Sequence, residues 1–170
     1  MNARVGMVGV CVAGAIVTAM LAAGSATVFG EDNAAREARD RAEIEALMWK
    51  YTRALDSGDG ATYASTYTQD GQFGTGANAS KGREALSKLV VRQPAANAPA
   101  RAPLYHMELN HWIEFVDKDH VRYHAYYLTV SGAMGQETPA RIVAAGQSLD
   151  TMERVSGKWL IKVRDVSVKE

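Results

Sequence analysis

One segment divides this chain and limits what it can fold into. Residues 93–103, "QPAANAPARAP", hold three of the four prolines. Before it the apolar residues recur with helical spacing; after it they read as long strands. Proline removes a backbone donor and fixes φ, so neither helix nor sheet continues through such a run. Too few helical elements precede the break to close a core alone. It therefore reads as a loop inside one domain, and the helices must pack on the strands that follow. Helices first and strands later imply an α+β fold.

The first helix is marked by Ile44, Leu47, Met48, Tyr51 and Leu55, which form one apolar stripe. Asp40 and Glu43 resemble a capping box, although a start nearer Asn33 also fits. "SGDG" at 57–60 ends the helix. A short second helix is predicted over Ala61–Tyr67, then a turn at "TQDGQFG" and a short strand around Gln72–Phe73. "SKGREALSKLVVRQ" predicts a third helix with Ala85, Leu86, Leu89 and Val90 as its apolar side. Leu104–Val116 and Val121–Ser131 are rich in aromatic and β-branched residues around the turn "DKDH", which predicts a hairpin. Arg141–Val155 and Trp159–Val168 predict a second hairpin, turned at "SGK". The expected architecture is a curved antiparallel sheet with the N-terminal helices on one face. A sheet of that shape encloses a default small-molecule site.

The N-terminus is of another kind. Arg4 is followed by no charge until Glu31, and the apolar run from Val5 ends in "AAGSA". This is the layout of a secretory signal peptide covering residues 1–26. It implies a periplasmic or secreted bacterial protein with no membrane association after cleavage. The alternative is an uncleaved inner-membrane anchor, since the run is near the lower limit of about 17–25 residues for a span. Residues 27–39 read as a polar tether, and 40–170 as the folded domain. The single cysteine, Cys11, lies in the leader, so the mature chain would have neither disulfide nor thiol nucleophile.

Nineteen basic and nineteen acidic residues give no electrostatic footprint for nucleic acid. No metal motif is present: His106 and His111 are five apart, and His120 and His124 are four apart on a strand. "GQFGTG" lacks the spacing and lysine of a phosphate loop, and no GxSxG elbow occurs. No cofactor is therefore expected. What remains is acid–base chemistry.

Asp56 is an acid at a helix C-terminus, where the macrodipole favours a base. It reads either as a solvated turn residue or as a carboxylate aimed into a pocket beside Tyr51. Simple alternation puts Tyr105, Met107, Leu109, His111, Ile113 and Phe115 on the core face of the long strand. It puts His106, Glu108, Asn110 and Trp112 on the other. By that count His111 is the better cavity candidate, unless a bulge re-aims His106. His124 shares a face with Tyr126 and Leu128 and is a candidate wall residue; His120 falls in the turn.

Taken together, several pieces resemble the SnoaL-like group of the nuclear transport factor 2-like superfamily. They are Tyr51-x4-Asp56, Asp70-Gly71, "GREA" at Gly82, His106-x3-Asn110, "GKW" at Gly157 and Arg164, spanning roughly residues 40–168. The resemblance implies a cone-shaped barrel with an apolar pocket, often dimeric through its sheet. Polyketide cyclases, ketosteroid isomerases, scytalone dehydratases and epoxide hydrolases belong to it. It implies Asp56 and His106 as the catalytic pair; Tyr51, Asn110, His124 and Tyr126 are expected to bind the substrate. Leu55 departs from the dehydratase pattern, which has tyrosine there. Two functions follow. One is a cofactor-independent lyase or isomerase on a small apolar hydroxylated or carbonyl compound. The other is a non-catalytic small-ligand or protein-binding module, with a homodimer through the sheet expected.

Overall fold

The predicted stripe lies on one long helix. The computed structural model describes residues 17–90, 103–132 and 139–168. Helix α1 runs Val17–Ser57, followed by α2 (Gly60–Ser65), β1 (Tyr67–Phe73), β2 (Ser80–Lys81), α3 (Gly82–Val90), β3 (Leu104–Phe115), β4 (His120–Ser131), β5 (Arg141–Val155) and β6 (Lys158–Val168). The chain divides into two units, Met1–Arg39 and Asp40–Glu170. In the first, residues 17–39 are helical, including the stretch expected as a tether. Its Ala, Glu and Arg residues are strong helix formers and no proline interrupts them. No helix among the described residues is long and apolar enough to cross a membrane. Residues 1–16 of the expected leader lie outside the described residues, as do most of the proline-rich loop and "AMGQET" at 133–138.

In the second unit Ile44, Met48 and Tyr51 are buried, with Leu47 and Leu55 packed at the edge of the core. Tyr63, Tyr67, Leu86, Ile113, Tyr123, Met152, Trp159 and Ile161 are among the other buried residues of this core. Asp40 is not a cap. It lies within α1, is buried, and accepts from Arg154 Nη2 at 2.5 Å. A helix already running through this point has no free N–H groups for a side chain to satisfy. The cap that does form is Asp59, which accepts from the Thr62 N–H at 2.9 Å to start α2.

The sheet has the order β2-β1-β6-β5-β4-β3. It is mixed, not wholly antiparallel: β1 pairs with β6 in parallel. β1 is also longer than expected, because Asp70-Gly71 lies inside it and makes no turn. Its ladder to β6 shifts register between Tyr67 and Gln72. A Cβ at Gly71 would stand 2.7 Å from Tyr67 Cβ, so only glycine fits this irregular step.

A second irregularity decides the site. Leu109 pairs with Tyr126 but Trp112 pairs with His124, so β3 carries one extra residue at this point. Asn110 lies there with φ 46°. Asparagine tolerates this left-handed backbone better than most residues. Since strand side chains alternate, one inserted residue exchanges the two faces. Before the bulge Tyr105, Met107 and Leu109 point outward, being 43%, 37% and 37% exposed. Beyond it Ile113 is buried. The simple alternation is therefore correct after Asn110 and inverted before it. Replacing Asn110 by valine is expected to destabilise the domain by about 1–2 kcal/mol, while glycine stays near wild type. Urea unfolding measures both, and equal stability of Asn110→Val would remove the bulge's claim to set the register.

Candidate functional site

α1 ends at Ser57, with Gly58 at φ 74° closing it, and this places Asp56 in the last turn. β3 is the edge strand of the sheet, so alternate N–H groups along it have no strand partner. Asp56 meets one of them. Its Oδ1 accepts the His106 backbone N–H at 3.1 Å and lies 2.7 Å from His106 Nδ1. The charge that the helix end disfavours is thereby held by two donors. This arrangement assigns the Nδ1 proton to the side facing Asp56 and leaves Nε2 for chemistry. The side chains are 23% exposed for His106 and 12% for Asp56, sheltered yet reachable.

The inward face continues from His106 to Glu108 on β3. Opposite, Asp150 on β5 and Arg164 on β6 are direct cross-strand partners. Arg164 is 2% and Asp150 0% exposed. Arg164 donates from Nη1 to Asp150 and from Nη2 to Glu108. Its guanidinium stands 4.6 Å from the centre of the Tyr51 ring. Burial, reinforced by Glu108, pushes the Asp150 carboxyl up to about 7, against the pull of Arg164. Burial likewise raises Tyr51, Tyr63, Tyr67 and Tyr123 above their ordinary value. Four buried polar atoms around this cluster have no hydrogen-bond partner: Glu108 Oε2, Asp150 Oδ1, Arg164 Nε and Ser148 Oγ. The floor between is made of small residues, Ala125 paired with Ser148, and Gly146. The Tyr127 hydroxyl stands 2.6 Å from where a Gly146 Cβ would be, and donates to the Val166 carbonyl at 3.2 Å.

The structure thus joins Asp56 and His106 and places Tyr51 in the interior, beneath Arg164. It does not bring Asn110, His124 and Tyr126 to them. His124 and Tyr126 pair with Leu149 and Gln147 on the outer face of the sheet. With Asn110 they line an open groove of about 240 Å³ there. On β4 the buried Tyr123 and Ala125 take the inner face, so the alternate residues His124 and Tyr126 face out, while Asn110 sits in the bulge itself. His111 turns toward α1, 3.2 Å from Glu45 and stacked on Tyr123 at 5.4 Å. His120 bonds Asp117 in its exposed turn. Among the described residues no cluster of three or more His, Cys, Asp or Glu is arranged to hold a metal ion.

Glu108, Ser148 and Asp150 were missed as site residues. A signal existed for two of them: in "QSLDTM" polar Ser148 and Asp150 alternate in step with apolar Met152, so they share its buried face. Arg164 was noted only as a shared motif position.

The profile of the SnoaL-like domain matches residues 36–165. The chain belongs to the SnoaL-like family. The fold of this SnoaL-like protein also recurs in solved structures. A Mycobacterium tuberculosis protein of unknown function has 20% identity and a TM-score of 0.65, covering 79% of this chain and 74% of its own. A scytalone dehydratase candidate from Novosphingobium aromaticivorans has 22% identity and a TM-score of 0.63 over 81% of this chain and 89% of its own. ActVI-ORFA from Streptomyces coelicolor has 19% identity and a TM-score of 0.63 over 75% of this chain and 95% of its own. At these identities the likeness establishes the fold, not the activity. No curated protein matches the chain at a significant level.

Proposed function

We propose that this SnoaL-like protein is a cofactor-independent lyase or isomerase acting on a small apolar compound that carries a hydroxyl or carbonyl. The observation that carries this reading is the 2.7 Å contact between Asp56 and His106 on the concave side of the sheet. Asp56 holds the imidazole with Nε2 free. In an elimination, Nε2 takes the proton from a carbon next to a carbonyl. The electron pair of that C–H bond forms the C=C bond, and the C–O bond to the hydroxyl breaks. The departing oxygen takes the proton back from Nε2 and leaves as water. In an isomerisation the same proton returns to a different carbon. Both schemes balance without an added oxidant or cofactor.

The test is incubation with a panel of cyclic hydroxyketones and enones, with products read by mass spectrometry. Loss of water or a shifted double bond supports the proposal. Ligand-induced thermal shifts with no product from any compound would instead favour a binding module. We also propose that the protein is exported with cleavage after Ala26, which mass spectrometry of the mature N-terminus checks; an intact N-terminus in the membrane fraction would mean an anchor. The exposed outer-face residues Tyr105, Met107, Trp112 and Tyr126 support a homodimer through the sheet. Light scattering tests this, and a monomeric mass at micromolar concentration would count against it.

A further inference from the structure

Arg164 has one positive charge and two carboxylate partners, and the two are held very differently. Asp150 is its cross-strand neighbour, on adjacent central strands, and is completely buried. Glu108 comes from β3, three strands from β6 in the sheet order. On a flat sheet that separation would be about 14 Å, three strand spacings. Only the curvature of the cone lets a glutamate cross it, over the small side chains of Ala125 and Ser148. The Glu108 side chain is 9% exposed, yet its Oε2 is buried without a partner. A half-satisfied buried carboxylate is unfavourable, and here it is the second of two acids gathered on a single guanidinium. Being on an edge strand with three rotatable bonds, Glu108 is the partner that can leave.

We infer that the Glu108 carboxylate stands in for a ligand's anionic oxygen, and that the concave side of the sheet at Arg164 receives a small cyclic carboxylate whose oxygens replace Glu108 there. The exchange leaves the charge at Arg164 unchanged and gives the unpartnered Arg164 Nε and Ser148 Oγ a group to bond. Glu108 and His106 point the same way, two residues apart, so their attachment points are about 7 Å from each other along the strand. A ring anchored by its carboxylate at Arg164 would then present its far side to His106 Nε2. This rests on the reading of Asp56 and His106 as the reacting pair only for that last step; the anion site itself does not need it.

The experiment measures calorimetric binding of 2-naphthoate and of neutral 2-naphthamide to the wild type and to Glu108→Ala. Removal of the internal competitor is expected to tighten 2-naphthoate binding by about tenfold or more, as one charge-assisted hydrogen bond allows. Binding of 2-naphthamide should change much less. Glu108→Gln, which keeps the shape, gives a smaller gain of the same sign and serves if Glu108→Ala folds poorly. Arg164→Lys in the Glu108→Ala background should lose the gain. Equal gains for both probes would mean that the substitution merely opened space, and no gain would mean that Glu108 does not compete; either overturns the inference. The gain should persist in Asp56→Asn. There the proposed chemistry is disabled but the anion site is intact, so failure of the catalytic reading and failure of this one are told apart. Loss of the gain with Asp56→Asn would place the anion at His106 and also overturn it.

Discussion

Arg164→Met destabilises the domain by about 3–5 kcal/mol, the expected effect of removing one member of a buried ion pair. The substitution keeps much of the side-chain volume but leaves Asp150 and Glu108 as uncompensated acids among Tyr51, Tyr123 and Ser148. The loss depends on pH, and its sign follows from Asp150. In the folded wild type burial pushes the Asp150 carboxyl up to about 7, above its ordinary value of 3.8. Between those limits the folded state holds a proton that the unfolded chain has released. This group's contribution is therefore fully present at low pH and is lost as pH rises toward 7. Arg164 is what restrains that rise. Without it the proton is held to higher pH, and the stability difference between wild type and variant widens from mildly acidic to alkaline conditions. Urea unfolding at about pH 5, 7 and 9 measures it, each pH unit within the window being worth up to about 1.4 kcal/mol. A loss of the same size at every pH would mean that the variant suffers from packing alone. Adding Asp150→Asn should then recover part of the stability at alkaline pH, because one of the stranded charges is gone.

The second large effect is kinetic. On a substrate identified from the panel, Asp56→Asn and His106→Ala each lower kcat by about 10²–10⁴-fold, the range for loss of positioned acid–base catalysis. The asparagine can still accept the His106 backbone N–H, so the helix end stays docked on the sheet edge and stability changes by less than about 1 kcal/mol. What it loses is the negative charge that holds the Nδ1 proton and stabilises the imidazolium. KM should move little, because neither substitution touches Arg164 or the floor at Ala125 and Ser148. The double variant should be no slower than the worse single one, as two groups acting as a unit are not additive. Turnover within a factor of about ten of wild type in both single variants would contradict the assignment. The Asp56–His106 contact would then be edge protection for β3, which its geometry also provides.

Much of the fold was legible in the sequence because it rests on local signals. The Ile44–Leu55 stripe has helical period, "SGDG" supplies the stop, and the two long hairpins turn at "DKDH" and "SGK". Those signals need only neighbours a few residues away, and the family pieces from Tyr51 to Arg164 arise from the same regularities. The partnership of Asp56 with His106 was also expected, but from resemblance, against the alternation count.

Tertiary structure decided the rest. Strand faces have a period of two, so a single extra residue at Asn110 inverts every assignment before it, and nothing in "HMELNHW" marks that residue as inserted. It turned His106 and Glu108 inward. With the same faces set for β4, His124 and Tyr126 belong to the outer surface. The parallel pairing of β1 with β6 joins segments about ninety residues apart, which no local pattern specifies. Arg164 meets Asp150 across 14 residues by direct cross-strand pairing and Glu108 across 56 through the curvature of the assembled sheet. The chain alone determined which segments are helix and strand and in what order they come, since those follow from periodicity. Which charges share the interior is a property of register and curvature, and these are set by the whole sheet at once.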